Sequence, residues 1–369
     1  MIEIEQCHGT KGDLFHKQLI NEVLTSPDRS VDREPRAKWA DGTPAHATSI
    51  NCKVGFDFRL KDGESALSTV RLNAWKTALG EILWIYRDQD NNVYNLETKY
   101  GVRWWRSWVV NPYHYDRFGK LQPGPNPYEG FYYDAAGHLN KVIRGTEIGE
   151  KSPTVDPVTD MDENKNIIDY ETGNVLTPDA TLGHTYGQII RECFSNPKYV
   201  LECIRKMVEM PDDRRNIMNM MQVKELAKGT ILPPCAYETQ WFIAYGEDGI
   251  RYVDMRLIQR SLDLIAAGVV NPVQYSLFEQ ILANEVTRIT GIPHVAREFI
   301  WLPGNVQIYN RHEDIAREIL AREPIDCAPY FEIAKDVPFK DMKVSDVTLH
   351  GMPEKGKIKA LSRKIEIAK

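Results

Sequence analysis

The chain has 369 residues, 42% of them hydrophobic, and a formal net charge of −6, enough for one large domain or two small ones with a sizeable core. The mildly negative charge excludes a bulk basic field for holding DNA or RNA, so any anion site must come from local arginine clusters. No apolar stretch approaches the ~20 residues of a membrane span, and the first residues, Met1 to Glu5, lack the positive region and apolar run of a signal peptide.

Leu14, Phe15, Leu19, Ile20, Val23 and Leu24 fall on one face of a helix over residues 13–25. Residues 30–44 form a polar loop rich in Gly, Pro and Asp, whose arginines are candidates for an anion site. Residues 47–59 alternate enough to predict a strand. Residues 72–88 read as a buried helix interrupted by a single acid, Glu81. Composition shifts at 110–180, which is dense in Pro, Gly, Asn and Tyr and reads as an insertion on the main domain. Within it, 132–139 and 168–175 share one pattern: Tyr or Asp, a turn with Gly, then an apolar return. Each predicts a small hairpin. Residues 186–209 and 273–290 read as helices, 237–259 as strand-like runs around a turn at Gly246 to Gly249, and 296–310 as a strand. Helices and strands mix without regular βαβ alternation, and no GxGxxG or Walker pattern is present, so the class is α+β rather than a doubly wound sheet.

Six cysteines stand at 7, 52, 193, 203, 235 and 327, with no CxxC pair. Neither a zinc site nor a redox motif follows, no metal is expected, and the thiols are expected reduced in a cytoplasm. Cys235 differs from the others in its setting. It follows Pro233 and Pro234, precedes an apolar-rich segment, and is followed by Arg260 and Ser261, which suit an anion. A lone thiol beside a phosphate site predicts covalent catalysis on a nucleotide; the alternative is a buried structural cysteine.

Several segments together resemble the thymidylate synthase family. They are Ala74–Lys76 with Glu81–Trp84, Gly101–Trp108, Leu182–Gly187, Asp213–Arg215, Pro233–Cys235, Gln259–Asp263, Asn271 and Tyr309–His312. Each is weak alone; all of them in the family's order are specific. The likeness spans the whole length except the 110–180 insertion. Lys38–His46 and Cys235–Trp241 resemble a bacterial and phage branch of that family.

The resemblance implies a single catalytic domain over 1–369, with a mixed sheet, helices packed on one side, and a homodimer joined sheet to sheet. It implies a methyltransferase acting on dUMP with 5,10-methylenetetrahydrofolate as co-substrate, in the cytoplasm, or in the host's if phage-encoded. Cys235 matches the nucleophile, Glu81 the general acid/base and Tyr186 a residue that assists proton removal at C5. Arg260 and Ser261 match the phosphate grip. Arg214 and Arg215 match a pair lent across the dimer interface, and Arg36, with Arg33 as competitor, the fourth phosphate arginine. Asn271 matches the reader of the pyrimidine edge; family hydroxymethylases acting on cytosine tend to carry aspartate there. Trp105, Trp108 and Asp263 match folate contacts, and Tyr309 a sugar ligand.

Two departures stand out. Asn305 and Gln307 replace an aspartate and a histidine that the family usually places before the tyrosine at 309, which leaves open whether the sugar read is deoxyribose, ribose or a modified one. The chain ends in Lys369 instead of a small apolar residue. Hydride transfer within the site gives dTMP and dihydrofolate; water in its place gives a 5-hydroxymethyl nucleotide. Retained Trp105 argues for methylation, and the altered tail and Gln307 for hydroxymethylation. A non-catalytic nucleotide- or RNA-binding homologue is the third alternative.

Overall fold

A computed structural model describes residues 8–39, 41–142, 161–193, 199–230, 232–247, 249–354, 356–363 and 365–368. Lys369 and Cys7 lie outside them.

The first helix, α1 (Lys11–Thr25), starts at a capping box in which Thr10 Oγ1 accepts from the Asp13 amide at 3.1 Å and Asp13 Oδ2 accepts from the Thr10 amide at 3.1 Å. Phe15, Leu19, Ile20 and Val23 are its buried face, as their spacing predicts. β1 (Ser30–Val31) follows. The strand expected over 47–59 is two strands, β2 (Ala47–Asn51) and β3 (Phe56–Arg59). Both pair antiparallel with one long partner, and the interruption faces Leu302–Gly304, where Pro303 has no amide hydrogen to lend a ladder. The buried helix begins at Trp75 instead of 72: α2 (Trp75–Ile82) widens into a π turn over Leu83–Arg87, closed by Asp88 N–H on Leu83 O at 2.9 Å. Such widened turns are frequent at functional sites. α3 (Val93–Tyr100) completes this part.

Among its described residues the insertion carries six short strands: β4 (Tyr113–Tyr115), β5 (Leu121–Pro123), β6 (Phe131–Tyr133), β7 (Leu139–Lys141), β8 (Ile167–Ile168) and β9 (Val175–Leu176). Both expected hairpins are present, β6 with β7 and β8 with β9. A third, β4 with β5, escaped the sequence reading although it follows the same plan. Asp116 and Asp134, in the β4–β5 and β6–β7 turns, and Asp162, in a turn just before β8, each accept on Oδ1 from the amides two and four residues on. The turn residue three on has positive φ, 70° at Gly119, 79° at Gly137 and 62° at Lys165. The hairpins form one small sheet, rooted in the main core through Ile167 and Leu176.

The helix expected over 186–209 is two helices, α4 (Gly187–Cys193) and α5 (Tyr199–Glu209). Next come β10 (Ile217–Asn219), α6 (Val223–Leu226), β11 (Ala236–Tyr245), β12 (Arg251–Asp263), α7 (Leu264–Ala267), α8 (Asn271–Thr290), β13 (His294–Tyr309), α9 (Glu313–Ala321), β14 (Tyr330–Ile333) and β15 (Val347–His350). The main sheet runs β1-β2-β13-β12-β11-β10, with β3 also on β13; only the β12–β13 pair is parallel, so the sheet is mixed. Val253, Met255 and Leu257 alternate inward under α8, while Tyr252, Asp254 and Arg256 stay half-buried on the opposite face, beside exposed Phe242 and Val295. Among the described residues no helix is long and apolar enough to cross a membrane.

Candidate active site

Cys235 lies immediately before β11, where the register with β12 slips between Ala236 and Glu238. That bulge turns the start of the strand. Arg260, on the adjacent strand, closes the corner: its amide donates to Cys235 O at 2.9 Å. Its guanidinium donates from Nη2 to Pro233 O at 2.6 Å and from Nε to Pro234 O at 2.9 Å, which holds Nη2 3.6 Å from Cys235 Sγ. Burial pushes the Cys235 thiol up, Arg260 pulls against it, and Asp263 adds to the rise; the net direction is up. Burial thus favours the thiol, and the Arg260 guanidinium beside it favours the thiolate.

Tyr186 approaches from the other side. Its hydroxyl accepts from the Cys235 amide at 3.4 Å. Its backbone φ is +46°, a conformation that costs a non-glycine residue free energy and persists only where the surroundings enforce it. The next residue must be glycine, because a Cβ on Gly187 would stand 2.1 Å from Asp90 O. Burial pushes the Tyr186 phenol well above its usual range, with the Cys235 sulfur adding to it, so the hydroxyl keeps its proton. The Trp105 ring stands against Tyr186, with centroids 5.5 Å apart, and Trp108 against Trp105 at 6.5 Å.

Glu81 projects from α2 and is only 6% exposed. Trp105 Nε1 donates to its Oε1, and Gln274 Nε2 to its Oε2 at 2.6 Å. Burial raises the carboxyl, while donors from Trp105, Gln274 and Trp104 oppose the rise. Asn271, the first residue of α8, donates to Gln274 Oε1 at 2.9 Å and accepts from Gln259 Nε2 at 3.1 Å. Gln259 in turn accepts from the Trp301 indole at 2.9 Å.

The parallel pairing of β12 with β13 sets Ser261 opposite Asn305 and Asp263 opposite Gln307. Gln307 Nε2 donates to the Tyr309 hydroxyl at 3.3 Å, and burial pushes the Tyr309 phenol up to about 12. Asp263 Oδ1 caps α7, accepting from Ile265 and Ala266 amides at 3.1 and 3.0 Å.

The structure brings part of the candidate set together: Cys235, Arg260, Tyr186, Trp105, Glu81 and Asn271 are linked by the contacts above, with Trp108 against Trp105. Four arginines, three of them candidates and Arg33 a competitor, are exposed and not joined to it by those contacts. Arg36 is exposed in the loop before β2, as is Arg33. Arg214 and Arg215 are exposed in the turn after α5, where Arg215 Nε donates to Asp213 at 2.9 Å. Sequence reasoning left Gln259, Gln274 and Trp301 without a role. The usable signal was the one that singled out Glu81, a polar residue in an otherwise buried helix run.

A family model described as thymidylate synthase matches residues 15–362. The chain belongs to the thymidylate synthase family. It is 26% identical over 344 residues to the thymidylate synthase of Streptococcus gordonii, spanning 92% of this chain and 94% of that protein. It is 25% identical over 342 residues to that of Streptococcus mutans, spanning 92% and 94%. The thermostable thymidylate synthase A from Bacillus subtilis superposes with a TM-score of 0.60 at 22% identity, covering 97% of this chain and 99% of the other; this likeness speaks for the fold.

Ile365 joins the main core, and Ala368 packs with Trp39 and Ala45, beside Tyr309. Arg311 ties this tail to the loop before β2, donating to Glu366 at 2.8 Å, Asp41 at 2.6 Å and Thr43 at 2.9 Å. Among the described residues no group of three or more His, Cys, Asp or Glu is arranged to hold a metal ion.

Proposed function

We propose that this protein transfers and reduces a one-carbon unit from 5,10-methylenetetrahydrofolate to C5 of dUMP, giving dTMP and dihydrofolate. The observation that carries the reading is the corner where Arg260 Nη2 stands 3.6 Å from Cys235 Sγ while the Tyr186 hydroxyl meets the Cys235 amide.

C5 of uracil is a poor nucleophile. Attack of the Cys235 sulfur on C6 makes C5 enolate-like, which splits one hard step into easier ones. C5 then bonds to the folate-derived methylene carbon. Loss of the C5 proton, with Tyr186 beside it, lets the folate depart and leaves an exocyclic methylene. Hydride from tetrahydrofolate reduces that group, and the sulfur leaves C6. Asn271 offers a donor and an acceptor to the uracil O4 and N3–H edge. Glu81, buried and held between two donors, manages protons around O4 and the folate. Trp105 and Trp108 wall the folate side and exclude water. Arg260 and Ser261 take the 5′-phosphate, Arg36 closes over it, and Asp263 lies toward the folate. Gln307 and Tyr309 reach the sugar.

The same reading makes the protein a homodimer of single catalytic domains, in which Arg214 and Arg215 complete the partner's phosphate site. Their exposure in one chain supports this assignment. The insertion bears on the folate side: Asp169, 1% exposed, accepts from Ser107 Oγ at 3.0 Å, between Trp105 and Trp108 in sequence, and Arg106 donates to Ile168 O at 3.4 Å.

A second reading is a dUMP 5-hydroxymethylase, in which water replaces hydride. Gln307 favours it, since its bond to Tyr309 replaces the usual histidine contact near the sugar. Mass analysis of the product from dUMP and methylenetetrahydrofolate separates the two. Thymidylate with dihydrofolate is expected; hydroxymethyl-dUMP with tetrahydrofolate would establish the second reading, and no product would reject both.

A further inference from the structure

Gln274 lies on the first turn of α8 at 3% exposure and touches the two groups that the function above assigns to opposite tasks. Its Oε1 accepts from Asn271 Nδ2 at 2.9 Å. Its Nε2 donates to Glu81 Oε2 at 2.6 Å and to Ala78 O at 3.3 Å. Resting on that function, we infer that Gln274 is a positioning residue that ties the base-reading polarity of Asn271 to the proton on Glu81.

The argument is one of direction. An indole N–H only donates. Trp301 Nε1 therefore turns the oxygen of Gln259 toward itself and the NH2 of Gln259 toward Asn271. The Ser261 carbonyl, which also accepts from Gln259 Nε2 at 3.0 Å, enforces the same orientation. The oxygen of Asn271 must then face Gln259 and its NH2 must face Gln274. Gln274 presents its oxygen to Asn271 and its NH2 to Glu81. At the far end Trp105, another donor-only indole, meets the other carboxylate oxygen. Every bond from Trp301 to Glu81 points one way, and the Glu81 carboxyl accepts on both oxygens. No amide can flip alone without setting oxygen against oxygen or NH2 against NH2.

What remains on Asn271 is one N–H and one oxygen lone pair, in fixed places. That pair suits the O4 and N3–H of uracil. Cytosine presents the reverse, an N4 donor and an N3 acceptor. To read cytosine, Asn271 would have to turn over, Gln274 would turn with it, and Glu81 would need a proton facing the Gln274 oxygen. Base choice and the protonation of Glu81 are thus one coupled property. The groups facing Glu81 are Trp104 and Trp105, Gln274 and Tyr275 on α8, and Tyr186, each uncharged at neutral pH. The amide donor of Gln274 is one of three that oppose the raised affinity of Glu81 for its proton.

The test uses the full chain with tritium release from C5 of dUMP and of dCMP, a readout indifferent to whether methyl or hydroxymethyl is the product. In Gln274→Met the preference for dUMP over dCMP is expected to fall about tenfold, the equivalent of one lost buried hydrogen bond. The pH limb governed by Glu81 should move to higher pH, because a donor that stabilised the carboxylate is gone. Gln274→Glu, which keeps the shape, should move that limb further in the same direction, and carries the test if the methionine variant does not fold. A folded variant with both the base preference and the pH limb unmoved, and only overall rate lost, overturns the proposal. A wild-type protein that releases no tritium from dUMP would instead overturn the functional reading beneath it.

Discussion

Arg260 is held against the Cys235 sulfur by carbonyls that belong to the two residues just before the cysteine. Pro233 and Pro234 contribute no amide hydrogen, yet each turns its oxygen to the guanidinium, at 2.6 and 2.9 Å. The thiol and the cation that favours its ionisation are therefore positioned by one short corner. Replacing Arg260 with methionine removes the cation that opposes the raised thiol. The pH at which Cys235 becomes alkylatable by iodoacetamide is expected to move up, and the alkylation rate near pH 8 to fall roughly tenfold. An unchanged alkylation profile would show that Arg260 does not tune the sulfur.

Glu81 makes stability depend on pH in a stated direction. Its folded-state affinity for the proton is raised by burial above that of an exposed glutamate. The folded chain then holds more proton than the unfolded one between the ordinary glutamate range and the raised value, so stability falls as pH rises through that window. Melting temperatures measured across it should decline in the wild type, and this part of the slope should vanish in Glu81→Gln. The same variant is expected to lose about 10²- to 10⁴-fold in kcat, the usual scale of a lost general acid or base. Equal slopes in the two proteins would argue against a raised carboxyl.

Asp169 links the inserted sheet to the turn that carries the two tryptophans. It accepts from Ser107 Oγ at 3.0 Å, Thr172 Oγ1 at 2.5 Å and the Glu171 amide at 3.2 Å. Asp169→Ala frees Ser107 and loosens the turn from which Trp105 reaches Glu81. The KM for methylenetetrahydrofolate should rise several-fold with the KM for dUMP unchanged, since lost positioning costs only the substrate whose wall has moved. Steady-state kinetics with each substrate varied in turn decides it; a rise confined to dUMP would place the insertion elsewhere in function.

Arg214 and Arg215 are exposed beside Asp213, and Lys206 Nζ stands 3.7 Å from the same carboxylate. If they serve a partner's phosphate, Cys235→Ser and Arg214→Ala chains are each inactive alone but complement one another. Random mixing makes about half the dimers hybrid, each with one intact site, so about a quarter of wild-type activity should return. Mixing that restores nothing, with exchange of subunits shown by native mass spectrometry, would reject sharing of the site.

Much of this protein was legible in one dimension. The inward face of α1 followed from helical spacing, the hairpins of β6–β7 and β8–β9 from a turn residue between strand-forming runs, and the family from Cys235, Glu81 and Arg260 standing in a familiar order. These signals are local, because spacing and turn chemistry act over a few residues. The tertiary structure alone decided that residues 47–59 break opposite Pro303, that Tyr186 sits at φ +46°, and that Gln274 stands between Asn271 and Glu81. Gln274 and Glu81 are 193 positions apart. A hydrogen bond across such a distance is written in no local pattern; it exists because packing α2 against α8 buries both side chains where neither can leave a polar atom unpaired.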